Sequence, residues 1–500
     1  MKKQALNPYL PLDTYIPDGE PHVFGDRVYV FGSHDKEGGD TFCMLDYACW
    51  SAPVKDLSDW RCEGTIYRKE QDPAHSEKYQ YMYAPDVVQG KDGRFYLYYA
   101  LAHPAFTGPI HVAVCNTPAG KYKYYGEIRN PDGSTFDRNI TFDPAVLNDN
   151  GVLWLYYGWA IGAEQLDHMP AALRNVMKKT AMPILERMLF DKTFCQIRRE
   201  GGSVAGAFAV RLAEDMLTVL TEPRKIAPAQ IDAYGTDFEG HAFFEASSMR
   251  KIGGKYYFIY SSQVAHELCY AVSDHPDRNF KYGGVIVSNG DIGYGSRKPE
   301  DRLAMTGNNH GSIVQINEKW YIFYHRQTNK SSYSRQGCAE EITINADGSI
   351  AQVEMTSCGL NGGPLKANGS YPAPLCCNLT NGHMPPAANQ RRKEILPHIT
   401  CRESERIIAD FGDGCMAGFK YFLFQGMVSV TVWAKGTGSG DLTVYADDHA
   451  LGRILIAPAE KWAAYTTSIY ATGTHALYLT FTGTGTIDIL KIEFGGTEAL

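Results

Sequence analysis

Short runs in which apolar or aromatic residues alternate with polar ones recur along the first 355 residues, and five of them share one plan. They read GEPHVFGDRVYVFGS (19–33), APDVVQGKDGRFYLYY (84–99), DPAVLNDNGVLWLYYG (143–158), FEASSMRKIGGKYYFIYSS (244–262) and NHGSIVQINEKWYIFYHR (309–326). Each opens on an acidic or histidine-containing cluster, passes through an apolar run, turns at Gly, Asp or Asn, and ends in an aromatic strand. A hairpin of this kind cannot bury both faces alone, so repetition predicts radially stacked sheets. Five units closing into a ring make a five-bladed β-propeller over residues 1–358. The polar opening of every unit then falls at the central channel.

The spacing lengthens between the third and fourth units. There AEQLDHMPAALRNVMKKTAMPILERMLFDKTF (163–194) carries apolar residues at helical intervals, predicting a helical insertion over about 163–200. It forms either a lid over the channel or an outer decoration. A Gly/Pro/Asn-rich passage, 359–392, reads as a linker. Beyond it RIIADFG, MVSVTVWAKG, DLTVYAD, AYTTSIYA, THALYLTFTG and TIDILKIEFG alternate again, predicting an antiparallel, jelly-roll-like β-sandwich over 393–500. The fold class is therefore all-β.

Composition narrows the function. A hydrophobic content of 44% supports large cores, and a net charge of −8 with no basic stretch argues against a nucleic-acid partner. Apolar runs are strand-length, so none is a membrane-spanning helix. The first residues, MKKQALNPYLPLD, contain no apolar signal core before Pro8 and Pro11. The twelve cysteines lack C-x-x-C spacing and are read as reduced thiols. Both observations lead to the expectation of a cytoplasmic protein.

Three carboxylates stand at the openings of units: Asp18 in YIPDGEP, Asp143 in ITFDPAV and Glu245 in HAFFEASS. Carboxylates among apolar neighbours are costly unless paired or used. Three that converge suit glycoside hydrolysis by single displacement. One activates water, one protonates the departing oxygen, and the third keeps that acid protonated by repulsion. The alternative for each acid is a structural one, capping turn amides in the channel.

The same segments carry a resemblance. NPYLP followed by IPDGEP, then FDPAVL, FEASSMRKIGGKYY and NNHGSIVQINEKWYIFYHR, occur in the order seen in glycoside hydrolase family 43, which the chain resembles from Asn7 to about residue 355. The resemblance implies a five-bladed propeller and an inverting exo-enzyme that removes terminal pentosyl units from plant-type oligosaccharides, as an α-L-arabinofuranosidase or β-xylosidase. It implies Asp18 as general base, Glu245 as general acid and Asp143 as the group that modulates its pKa. It assigns Arg326 to the sugar and His310 to a calcium or other cation in the channel, with no organic cofactor. Glu20 stands where the family usually has a small residue and competes with Asp18 for the base role.

Asp86 in YAPDVV and His34 in GSHD are further candidates for substrate contact, each with a structural alternative. Tyr81, Tyr83, Trp159, Phe243 and Phe244 flank the acids, and most are expected in the core. The C-terminal region resembles a family 6 carbohydrate-binding module, with Trp462 and Tyr421 as candidate sugar platforms. Two other functions remain open from sequence: a retaining fructosidase of the related family 32, and a non-catalytic carbohydrate-binding protein. The expected partner is an oligosaccharide, and a homo-oligomer is allowed.

Overall fold

A computed structural model describes residues 3–102 and 108–496. Five small antiparallel sheets follow one another along the chain, at 20–67, 81–127, 145–227, 243–288 and 313–342, each with its strands in consecutive order. These are the five blades of a propeller. The first strand of each lies innermost: Glu20–Phe24, Tyr81–Gln89, Ala145–Asp149, Phe243–Ile252 and Ile313–Ile316. Apolar and aromatic residues between adjacent blades form the cores, such as Tyr98, Tyr157 and Phe208 between blades 2 and 3.

Among the described residues, blades 1 to 4 have four strands and blade 5 has three. Asn7 stands where the fourth would pair: its amide Nδ2 donates to the Ala339 carbonyl at 3.2 Å, and the Ala339 N–H donates back to Oδ1 at 3.0 Å. The N-terminal segment carries Tyr9, Leu10 and Ile16 into the core shared with Val28, Val30 and Phe323, so it fastens blade 5 to blade 1. A parallel bridge between Gly19 and Gly311 completes the ring on the channel side.

The helical insertion comprises α1 (Glu164–Asp167), α2 (Ala171–Lys179), α3 (Ala181–Phe190) and α4 (Phe194–Arg199), set between the second and third strands of blade 3. The C-terminal region is a β-sandwich built from a ten-stranded sheet. Two long strands, Met416–Gly436 and Ala459–Thr484, run antiparallel through it and alternate buried with exposed positions.

The passage expected to be a linker is ordered. Leu365–Lys366 and Asn378–Thr380 pair with Met416–Gly436, and Gly369–Pro372 pairs with Thr486–Gly496. Its Gly and Pro content marks tight turns between short strands; the sandwich thus begins near residue 365. Tyr421 is committed to the junction of the two domains, its hydroxyl donating to Glu354, and is no sugar platform. Trp462 lies half-buried under the Lys435 ammonium, 4.8 Å from the ring centre.

Candidate active site

The three acids reach the channel by two local devices. Asp18 and Asp143 each stand two residues before an inner strand and hold left-handed backbone, with φ of 57° and 44°. That region costs a non-glycine residue free energy and persists only where surroundings enforce it. Glu245 instead sits in a disturbed ladder. Pairing with the next strand shifts register on both sides of it, and Ala246 has φ of 71°. A bulge of this type re-aims a side chain out of the regular alternation.

All three carboxylates line one cavity of about 890 Å³. Asp143 Oδ2 accepts from the Ala246 N–H at 2.9 Å, tying it to the residue after Glu245. His310 Nδ1 lies 3.9 Å from Asp18 Oδ1 and 3.7 Å from Asp143 Oδ2. Asn308 Nδ2 reaches Glu245 Oε1 at 3.3 Å. Phe42, Tyr83, Phe142, Trp159 and Phe244 supply apolar wall. Of the five aromatic neighbours expected from sequence, Tyr83, Trp159 and Phe244 line the cavity, Phe243 is core, and Tyr81 is elsewhere.

The charges differ in kind. Burial raises the Asp18 pKa, but the guanidinium of Arg335, with His310 and His325, overcomes this and holds the carboxyl below its usual range. Arg335 Nη1 donates to Asp18 Oδ1 at 2.8 Å, and the same group grips Asp35 through Nε at 2.8 Å and Nη2 at 3.0 Å. Burial pushes Glu245 up to about 7; the Asp18 charge adds to this, while the Asn308 amide and the Trp159 indole oppose it. Asp143 is raised well above its ordinary value by burial and by the charges of Glu245 and Asp18. Burial lowers His310 to about 4 and His325 to about 3, so both rings are neutral near pH 7. The site therefore holds one firmly ionised carboxylate opposite a pair that retains a proton.

Four expectations change. Arg326 faces away from the cavity, donating to the Pro374 and Cys376 carbonyls and to Gln336. The cause is strand alternation: His325 takes the channel face, its Nδ1 accepting from the Asp18 N–H at 3.3 Å, so the next residue must point outward. Arg335, which sequence reasoning passed over, is the arginine of the site. Its signal was weak, because it begins the third strand of blade 5 and not an inner one. Asp86 is fully buried outside the cavity, accepting from His22 Nε2 at 2.6 Å and from the Val87 and Val146 N–H groups. His34 Nδ1 donates to the Asp46 carbonyl at 2.8 Å and does not line the cavity. Glu20 is also outside it, paired with Arg250 at 2.7 Å, and does not compete with Asp18.

Among the described residues, His310 belongs to no convergent group of metal-ligating atoms. Such a group occurs further along the inner strands, at Glu20, His22 and Asp86. Glu20 Oε1 is buried there without a hydrogen-bond partner. A hard cation prefers carboxylate oxygens to imidazole, so these residues fit one better than His310 does.

The model of "Glycosyl hydrolases family 43" matches residues 12–195 and 193–350. The chain is 45% identical over 505 residues to a xylosidase/arabinosidase of Thermoclostridium stercorarium, covering 98% of both. It is 30% identical to a xylosidase/arabinosidase of Bacteroides ovatus over 69% of this chain and 97% of that one. Among solved structures, it is similar to a family 43 β-xylosidase/α-arabinofuranosidase from a compost microbial metagenome, in complex with xylotriose and in calcium-free form. That match has a TM-score of 0.50 and 25% identity, and covers 71% of this chain and 98% of the other.

Proposed function

Because the chain belongs to glycosyl hydrolase family 43, we propose that its three channel acids hydrolyse terminal pentosyl units by single displacement. The enzyme is a glycoside hydrolase of the xylosidase/arabinosidase kind, as its relatives are. The observation that carries the mechanism is the split in protonation within one cavity: Asp18 is held ionised by Arg335, and Glu245 is held protonated to about 7.

Glu245 donates its proton to the glycosidic oxygen as the bond breaks. Asp18 takes a proton from water attacking the anomeric carbon on the opposite face. Asp143, itself raised by burial and by the charges of Glu245 and Asp18, shares the retained proton with Glu245 and, through the Ala246 N–H, fixes the backbone that aims it. Asn308 Oδ1 is buried in the site without a hydrogen-bond partner, which suits recognition of a sugar hydroxyl. Convergence of the acids also argues against a purely binding role. Hydrolysis of aryl β-xyloside and α-L-arabinofuranoside, with the product anomer followed by NMR, tests the reading. Immediate release of the inverted anomer supports it, and retention would remove Asp18 from the base role.

A calcium ion would be held by Glu20 and Asp86, where it would brace the channel electrostatically. Calcium should then raise the Tm of the native chain and not that of Glu20→Gln. Self-association is supported by an apolar face on α2 and α3, where Leu173, Val176, Ile184 and Met188 are 48–76% exposed; sedimentation velocity would show a monomer if this fails. A reducing, cytoplasmic setting is supported by all twelve cysteines being unpaired; recovery of the active protein from the culture medium of its source would refute it.

A further inference from the structure

We propose that the strap 384–392, which joins the sandwich strands Asn378–Thr380 and His398–Arg402, forms the aglycone side of the pocket and, through Asn389 with Arg302 of the same cavity, selects a second sugar unit. This rests on the pentosidase reading and specifies its substrate as an oligosaccharide.

The cavity is larger than one sugar ring needs. At about 890 Å³ it lies near the upper end of sites that envelop a drug-sized ligand. Its inner end holds the acids, with Asp18 and Asp143 each only 3% exposed. Its outer part is lined by Pro386, Ala387 and Asn389 of the strap, of which Pro386 and Asn389 are exposed. A bond cleaved beside Glu245 therefore leaves the rest of the substrate between the acids and the strap.

The strap is fixed in place, as a recognition surface must be. The Ala387 N–H donates to the Thr306 carbonyl at 2.5 Å, and the Ser332 N–H donates to the Ala388 carbonyl at 3.0 Å. The Arg392 N–H donates to the Lys330 carbonyl at 3.1 Å, while Lys330 Nζ donates to the Glu394 carbonyl at 3.0 Å. Met384 is buried against Met305 and Leu396. Both flanks of the cavity mouth, 299–308 and 328–334, are thus joined to the strap. A loop that only joined two sandwich strands would need neither the buried methionine nor these pairings.

The chemistry suits a sugar. Asn389 offers an amide donor and acceptor, the pair that matches vicinal hydroxyls. Arg302 lines the same cavity with its guanidinium held by the Pro299 carbonyl at 2.7 Å and Thr306 Oγ1 at 3.2 Å. Pro386 and Ala387 present apolar surface to the C–H face of a ring. Pre-fixed groups of this type add affinity because little ordering remains to be done on binding.

The test compares kcat/KM for xylotriose with that for an aryl xyloside in the full chain and in Asn389→Ala. The ratio should fall five- to twentyfold in the variant, with the change in KM and not kcat. Arg302→Gln should act in the same direction. A ratio within twofold of the native value in both would overturn the proposal. A binding measurement guards against misfolding: in a Glu245→Gln background, Asn389→Ala should weaken xylotriose and leave the melting temperature unmoved. Xylotriose bound equally tightly with and without Asn389 would also overturn it. If the native chain hydrolyses no pentoside at all, it is the pentosidase reading that fails, which the aryl xyloside alone reveals.

Discussion

At the scale of single residues, the site is governed by one guanidinium and its distance from three acids. Arg335 compensates Asp18 directly, so the charge that repels Glu245 persists through the working pH range. Replacing Glu245 with Gln removes the transferable proton and should lower kcat for an unactivated xyloside by about 10²–10⁴-fold. A dinitrophenyl leaving group, which needs little protonation, should lose far less; equal losses on both substrates would contradict the acid role. The alkaline limb of kcat/KM should fall with an apparent pKa near 7, belonging to the Glu245–Asp143 pair. The same shift acts on stability. A carboxyl raised in the folded state from about 4.5 to about 7 contributes fully below the unfolded value, and that contribution is lost as pH rises through the folded one. Its magnitude is up to about 3 kcal/mol. Glu245→Gln should therefore melt above the native chain at pH 8, with the gap closing towards pH 4. A gap that does not change with pH would mean Glu245 is not held protonated.

At the scale of elements, the inner strands place chemistry by departing from strand geometry where each acid occurs. Gly311 shows how little room exists beside these departures: a Cβ there would lie 1.9 Å from the Phe323 carbonyl oxygen and 3.0 Å from the Tyr324 Cα. Both are backbone atoms and cannot yield as a side chain would. Gly311→Ala should cost at least about 1–3 kcal/mol and displace the adjoining His310. Denaturant unfolding should show this cost, and a native midpoint would argue that the Gly19–Gly311 bridge does not close the ring. The blades and the three acids were legible in sequence because hairpin repeats and acidic openings are local patterns. Arg326 against Arg335 was not, since motif order names an arginine near the end of a strand without its parity. Adjacent His325 and Arg326 must face opposite ways, and only the partners of His325 decide which. The 359–392 passage failed for a related reason. Turn residues look alike in a free linker and between strands of two to four residues, and pairing with residues 416–436 and 486–496 lies beyond any local signal.

At the scale of the whole molecule, the two domains share buried charge, which couples their stabilities. Lys420 of the sandwich is 3% exposed; its ammonium donates to Asp291 at 2.9 Å and Glu354 at 2.8 Å, both from the propeller. Asp291 also accepts from the Met355 N–H at 2.7 Å and from Asn378 at 2.9 Å, so the carboxylate is built into the junction. Arg326 reinforces it from the other side, through the Pro374 and Cys376 carbonyls. Removing one partner of a buried pair leaves its counter-charge stranded, typically at a cost of about 3–5 kcal/mol. Lys420→Met keeps the length of the side chain and removes the charge, leaving two carboxylates facing each other at the junction. Calorimetry of the native chain should show one transition for both domains. In the variant the transition should fall in temperature. Because the strap lies between these anchors, selectivity for xylotriose over the aryl xyloside should weaken in parallel. A variant that melts as the native chain does would show that the domains rest together without this charge.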